Sequence, residues 1–253
     1  MSERVQSQLI TASQVARETS VRQGSNGVCY AVYGEAKVAG ADLEQIINTV
    51  PAAMADALKR KAYYFVPLAI AEMRGDVATR ANTPEDILIS SDFTTELGDR
   101  ASCHRNVDFG TSEGVFISAR LMHDRFALAF EFFINVGHAF VDQAGVPESF
   151  SELVWKQAQA DVRGETSQDA FDSRKQARTN NDEKARSDFA ALAFADAIAI
   201  YLLSLAIDFD YTELREREYP LLAPTALAER LRLVAELFPP NPGYEFAIKY
   251  RRR

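Results

Sequence analysis

The apolar residues of this chain fall in short runs near its start and in long runs near its end. Runs at 28–33, 63–66 and 114–118 are strand-length and predict short strands in a small sheet. Runs at 123–141 and 187–207 are too long for strands and predict two long buried helices. Further helices are predicted at 150–161 and 225–237, the last ending at Pro239-Pro240, where a helix must stop. Short strands followed by long helices are typical of the α+β class, here with a closing helix.

Two polar stretches interrupt this pattern, and one apolar stretch is ambiguous. Residues 90–114 are rich in Asp, Gly, Ser and Thr and predict a long loop. Residues 163–184 have almost no large apolar side chains, which predicts an exposed or mobile segment. Residues 190–207 are nearly long enough to span a bilayer. Because Asp196 lies in the middle of that run, we favour a buried core helix.

A stripe of polar residues runs along the predicted helix 123–141. Glu131, Asn135, His138 and Asp142 are spaced i, i+4, i+7 and i+11, which places them on one helical face. Buried polar groups are costly unless they have partners, so such a stripe needs either a partner or a function. Because the two most apolar helices should pack together, the stripe is expected to face acidic residues of 187–207 and its start, namely Asp188 and Asp196.

Composition and charge limit the class of protein. The chain has 253 residues, 47% hydrophobic and 25% charged, which suits one large or two small globular domains. A net charge of -8 argues against a nucleic acid or an anionic membrane as partner. Two cysteines make no disulfide framework, and the sequence has no P-loop and no GxGxxG. The first residues have no apolar signal region, so we expect a cytoplasmic protein, or one exported without an N-terminal signal peptide.

The sequence around His138 resembles the zinc-binding helix of zincin metallopeptidases. It reads INVGHAFVDQAG and is most similar to the catalytic-domain family of anthrax lethal factor. That family's helix carries H-E-x-G-H-A, then Asp and Ala-Gly. The positions that match are Gly137, His138, Ala139, Asp142, Ala144 and Gly145. A later helix of the family reads E-F-F-A-E-A-F and supplies the third zinc ligand; here DFAALAF places Asp188 at the ligand position.

The resemblance covers roughly residues 50–250. It implies a zincin-like domain at 50–253, preceded by a helical and strand extension at 1–49. Its departures concern the chemistry. Ile134 replaces the first histidine and has no ligating atom. Asn135 replaces the glutamate that activates water, and an amide does not accept a proton at ordinary pH. Of the family's three ligands and one base, the chain keeps His138 and, as a shorter acid, Asp188.

Three hypotheses for function follow. In the first, the chain is a catalytically degenerate zincin-like domain that binds a peptide or protein, needs no cofactor and has no catalytic residue. His138 then hydrogen-bonds to Asp188 or Asp142. In the second, it is a metal-dependent hydrolase whose rebuilt site joins His138 to Asp188 or Asp142 around a divalent metal such as zinc; oxygen-rich ligands favour magnesium, manganese or iron. In the third, it is an unrelated α+β interaction domain. The sequence does not indicate an oligomeric state.

Cys103 and His104 are adjacent within the predicted loop 90–114. They could form a nucleophile pair or bind a metal. Adjacent residues rarely point the same way, and no matching Asp or Asn motif follows, so we favour an incidental pair.

Overall fold

A computed structural model of the chain describes residues 9–71, 73–74, 77–78, 83–180, 182–214 and 219–249. These residues divide into two compact units. The first comprises residues 9–48 and 59–132, and the second comprises residues 49–58 and 133–249. This division differs from the predicted domains 1–49 and 50–253. The reason is that strands from the first 32 residues pair with strands that begin at residues 61 and 87.

The described secondary structure confirms the α+β class. The strands are Leu9–Thr11 (β1), Arg22–Gln23 (β2), Cys29–Val32 (β3), Lys61–Val66 (β4), Leu68–Ala71 (β5), Met73–Arg74 (β6), Val77–Ala78 (β7), Ile87–Ser90 (β8), Ala101–Ser102 (β9), His104–Asp108 (β10) and Glu113–Ser118 (β11). The α-helices are Ala12–Glu18 (α1), Gly40–Asn48 (α2), Ala52–Ala55 (α3), Thr95–Gly98 (α4), Arg125–Ala144 (α5), Glu148–Gln159 (α6), Gln168–Asn180 (α7), Glu183–Ala206 (α8) and Pro224–Leu237 (α9). Short 3-10 helices lie at Asp56–Leu58, Ala119–Leu121 and Tyr211–Leu214. The predicted strands and the two long helices are all present, each within a few residues of its predicted bounds.

The first unit is built on two sheets. The larger has the order β10-β11-β4-β3-β2, with β3, β4 and β11 parallel and the outer strands antiparallel. The smaller has the order β1-β8-β5-β9 and is antiparallel throughout. The short pair β6-β7 is separate. The unit also contains α1, α2, α4 and the first part of α5.

Strand β4 is buried on both faces, which explains why its apolar residues are continuous rather than alternating. On one face, Tyr63 meets Phe132 edge to face with ring centroids 4.9 Å apart. On the other face, Tyr64 stacks on Phe116 at 4.6 Å. These aromatic pairs fix β4 at the centre of the larger sheet, beside β11.

The predicted loop at 90–114 is wrong in part. The stretch contains α4, β9 and β10, and β10 pairs antiparallel with β11 over five residues. Only Val107 of β10 is fully buried, packed in a cluster that includes Val15 and Phe116. A strand with a single buried side chain has too few apolar residues for its pattern to reveal it.

The second unit is helical, and α8 supplies much of its core. Phe194 lies within 4.6 Å of Phe150 and 6.4 Å of Phe140 and Phe238, measured between ring centroids. Within the described part of the chain, α8 alone is long and apolar enough to cross a membrane, and 72% of its most apolar window is buried inside the protein. Such burial is what a core helix would show.

The prediction that residues 163–184 are exposed or mobile is wrong in part, since many described residues of this stretch are exposed and others are buried. Most of this stretch forms α7, and Glu165, Ala170, Arg174 and Ala177 within it are buried. The segment buries small residues and paired charges in place of large apolar side chains. Composition alone therefore gave a misleading indication.

Candidate functional site

Helices α5 and α8 come into very close contact at Gly137. A Cβ atom at this position would lie only 2.4 Å from the carbonyl oxygen of Ala195. Such a distance is well inside van der Waals contact, so only glycine allows the two backbones to pack this closely. The contact also sets which side chains meet, because it places His138 near the residue that follows Ala195.

That residue is Asp196, which is only partly exposed. Its carboxylate accepts a hydrogen bond from the Thr166 hydroxyl at 2.8 Å. The pKa of the Asp196 carboxyl is raised because burial penalises its charged form; Ser167 and Thr166, which hydrogen-bond to the carboxylate, and nearby His138 act in the opposite direction. His138 is exposed and makes no hydrogen bond to any described residue. His138 therefore lies near Asp196 without a hydrogen bond to it.

The predicted hydrogen bond from His138 to Asp188 or Asp142 is not formed. Asp188 is exposed and accepts a hydrogen bond from the Lys184 ammonium at 2.6 Å, one helical turn away. It precedes Asp196 by eight residues, which is about 12 Å along the axis of α8. Because α5 contacts α8 at Gly137 and Ala195, the acidic residue of α8 that lies next to His138 is Asp196. Asp142, on α5 itself, is exposed.

The residues of the polar stripe on α5 differ in how far they are buried. Asn135 is 7% exposed, whereas His138 and Asp142 are exposed. Ile134 is half-buried. Within the described residues, no three His, Cys, Asp or Glu side chains are grouped so that they could hold a metal ion. Metal ligation by His138, Asp188 or Asp142 stays a prediction.

The remaining stripe residue, Glu131, belongs to the first unit and pairs with a residue of β10. Its Oε1 lies 2.6 Å from Nδ1 of His104. Partial burial and the charge of Glu131 raise the pKa of the adjacent Cys103 thiol. A raised thiol pKa disfavours the thiolate, which is the nucleophilic form. The geometry thus gives His104 a carboxylate partner and gives no support to a Cys103 nucleophile.

Strand β10 has one free edge. In the ladder with β11, the Ser118 amide donates to the Cys103 carbonyl at 2.8 Å, and the Phe109 amide donates to the Ser112 carbonyl at 2.9 Å. Hydrogen-bonded pairs alternate along an antiparallel ladder, so the odd-numbered residues of β10 bond to β11. The N–H and C=O groups of His104, Asn106 and Asp108 therefore point to the opposite edge. No described strand pairs there.

Sequence reasoning missed several members of these sites. Thr166 and Ser167 lie in a stretch that was predicted to be exposed, and nothing in their spacing connects them to Asp196. The one available signal was Asp196 itself, a carboxylate in the middle of an apolar helix. The pairing of Glu131 with His104 depends on β10, which the apolar pattern did not reveal.

Comparisons with known proteins add no relative. A scan against protein-family models, a search of curated proteins and a search of solved structures found no match to this chain.

Replacing Asp196 by Asn is expected to increase stability at neutral pH relative to the wild type, but not in acid. Folding raises the pKa of the Asp196 carboxyl above its ordinary value of 3.8. Below pH 3.8 the carboxyl is mostly protonated in both the folded and the unfolded state, so it does not reduce stability there. As pH rises above that value, the unfolded state ionises first and the wild type loses stability. Asn keeps an acceptor for Thr166 and does not ionise, so the difference in melting temperature should grow from pH 3 upwards.

The matched control for this prediction is Asp188→Asn. Asp188 is exposed and paired with Lys184 on the surface, so its replacement should change stability by less than about 1 kcal/mol throughout. Melting temperatures followed by circular dichroism at several pH values check both variants. If the two variants gave parallel pH profiles, burial of Asp196 would not be the cause.

Proposed function

We propose that this protein is a catalytically degenerate zincin-like domain that binds an extended peptide segment of a partner protein. The observation that carries the proposal is the free edge of β10. The resemblance around His138 supports the zincin-like assignment, and the residues at Ile134 and Asn135 support the loss of peptidase chemistry.

The argument against hydrolysis depends on side-chain chemistry. A zincin needs two histidines one helical turn apart and a glutamate that removes a proton from zinc-bound water. Ile134 offers the metal no electron pair, and Asn135 cannot act as a base. Asn135 is also buried, in the setting of an uncharged core residue rather than of a base that meets solvent.

The argument for peptide binding depends on backbone hydrogen bonding. Unpaired N–H and C=O groups along a sheet edge are a ready template for an added strand, and peptide-binding domains use such edges. Three residues of β10 present these groups on the same side. Asn106 and Asp108 are exposed, so an added strand could reach them. The hydrogen-bonded pair of His104 and Glu131 places two polar side chains at one end of this edge.

The first test combines binding and cleavage. Fluorescein-labelled peptides selected from a random-sequence display library on the wild-type protein are incubated with the protein and zinc. Fluorescence anisotropy should report binding, and mass spectrometry should show intact peptide. Peptide cleavage would contradict the proposal, as would stoichiometric metal in the purified protein that is lost in His138→Ala. Failure to select any peptide would contradict the binding function.

A second test locates the docking edge. Asn106→Pro removes an N–H that faces the free edge, while the ladder bonds to β11 from the neighbouring residues remain; proline is tolerated on edge strands. We expect peptide affinity to fall by about tenfold or more, because one backbone hydrogen bond is lost and the ring obstructs an added strand. Asn106→Ala changes the same side chain but keeps the N–H, so it should bind like the wild type. Equal affinity in both variants would show that the peptide binds elsewhere.

A further inference from the structure

The second unit contains a buried cluster of two arginines and one glutamate. Arg230 donates from Nη1 and Nη2 to the two carboxylate oxygens of Glu165, at 2.8 and 3.1 Å, and both side chains are 0% exposed. Arg174, 6% exposed, donates to the same carboxylate at 3.3 Å. Two guanidinium groups therefore share one carboxylate. The cluster thus has two positive charges and one negative charge, and the bond from Arg174 to Glu165 is the longest of the three.

Arg174 is held rigidly by the backbone around it. Its Nη1 donates to the Gly164 carbonyl at 2.8 Å, and its Nη2 donates to the Val162 carbonyl at 2.7 Å. Gly164 has a φ of +76°, and a Cβ there would lie 2.1 Å from the Leu221 carbonyl oxygen. The loop is thus fixed against the segment that leads into α9. The guanidinium of Arg174 is positioned in advance, so a ligand would spend little free energy in ordering it.

A cavity of about 620 Å³ lies directly beside this arginine. One face of α7 lines it, since Arg174 and Arg178, and likewise Lys175 and Thr179, are one helical turn apart. The described residues that line it are ten, and they include four cations and one acid. The cations are Arg163, Arg174, Lys175 and Arg178, and the acid is Asp161.

Two of the four cations at the cavity have a carboxylate partner, since Arg174 is bonded to Glu165 and Arg178 to Asp161. Asp161 is paired with Arg178, at 2.5 Å between Oδ1 and Nη1. Lys175 forms no ion pair within the described part of the chain. Burial lowers the pKa of Arg174, which means that its charged form is poorly solvated. Four cations thus line one concave site in a chain whose net charge is -8.

We propose that this cavity binds the phosphate group of a small phosphorylated organic molecule. Phosphate oxygens accept several hydrogen bonds at once from arginine and lysine, which suits the rigid guanidinium of Arg174 and the exposed ammonium of Lys175. The cavity volume lies in the range of small-molecule sites, and so exceeds what a bare anion requires. Phe171 supplies an apolar wall for the organic part, with the Tyr219 ring 6.1 Å behind it.

Isothermal titration calorimetry with AMP, ribose 5-phosphate, adenosine and ribose tests this site on the full chain. Each phosphorylated compound should bind about tenfold or more tightly than its unphosphorylated counterpart, because charge-assisted hydrogen bonds form only with the phosphate. Affinity should fall as salt is added, since exposed charges are screened. Equal binding of AMP and adenosine would overturn the proposal, as would no binding of either phosphorylated compound at millimolar concentration.

Lys175→Gln provides the matched variant. The side chain is exposed, so the fold should be retained, and unchanged circular dichroism would establish this. We expect binding of the phosphorylated compounds to weaken about fivefold to tenfold. Lys249→Gln removes the same charge from an exposed lysine outside the cavity lining and should leave affinity unchanged. If both variants weakened binding equally, general attraction to the protein's cations would account for it and the cavity would not be the site.

Discussion

Replacing Glu165 by Gln is expected to reduce the free energy of unfolding by about 3–5 kcal/mol, the usual cost of removing one partner from a buried ion pair. The change keeps the size and shape of the side chain. It removes the carboxylate that is bonded to both Arg174 and Arg230, and each of those arginines is buried. The new amide group also turns an N–H₂ donor towards guanidinium donors. Domains are typically stable by only about 5–15 kcal/mol, so the loss would be severe.

Urea unfolding followed by tryptophan fluorescence measures this effect in the appropriate unit. The single tryptophan of the chain, Trp155, lies in α6 of the second unit, with the Arg186 guanidinium 4.6 Å from its ring centroid. Glu229→Gln is the matched control. Glu229 is exposed and accepts a hydrogen bond from Gln157 at 3.0 Å, so its replacement should cost no more than about 1 kcal/mol. Equal losses in both variants would mean that Glu165 has no special role.

Gly137→Ala should destabilise the second unit by about 1–3 kcal/mol, although alanine is normally the better helix former by about 1 kcal/mol. The added Cβ would lie 2.4 Å from a backbone oxygen of α8, and a backbone atom has no alternative rotamer to adopt. One helix must therefore shift. We expect the shift to separate His138 from Asp196 as well, so the pH dependence of the melting temperature should change together with its value.

Gly40→Ala is the control for this substitution. Gly40 is the first residue of α2, and a Cβ there would meet no atom within 4 Å. The free energy of unfolding should stay within about 1 kcal/mol of the wild type. Thermal unfolding monitored by far-ultraviolet circular dichroism follows both variants. A Gly137→Ala protein as stable as the wild type would show that α5 and α8 are not packed as closely as described.

The apolar pattern predicts those elements that bury many apolar side chains, because these side chains then recur regularly in the sequence. The strand at 63–66 and the helix at 187–207 are examples, because nearly every residue in their centres contacts the core. The pattern fails where burial involves few or charged residues. β10 has one fully buried side chain. Helix α7 is held partly by Arg174, which is bonded to Glu165, and Glu165 is in turn bonded to Arg230, 65 residues further along the chain. Such a pairing leaves no local periodicity.

The candidate site could be predicted only to the level of the helices that carry it. The sequence predicts that the two apolar helices pack together, and it offers both Asp188 and Asp196 as partners of the polar stripe. Which aspartate lies next to His138 depends on how far α5 is shifted along the axis of α8. The close contact between Gly137 and Ala195 determines this shift, and composition cannot reveal it. Ile134 and Asn135, by contrast, can be recognised from the sequence alone as departures from the zincin pattern that this helix resembles.

The carboxylate of Asp196 has a further consequence during synthesis of the chain. Before the second unit folds, α8 is an isolated apolar segment, and the machinery that inserts membrane helices selects such segments by hydrophobicity. An aspartate at the centre of an inserting helix costs about 2.5–3.5 kcal/mol. The residue whose burial is expected to make the folded protein less stable as pH rises would thus also oppose insertion of the nascent α8 segment into a bilayer.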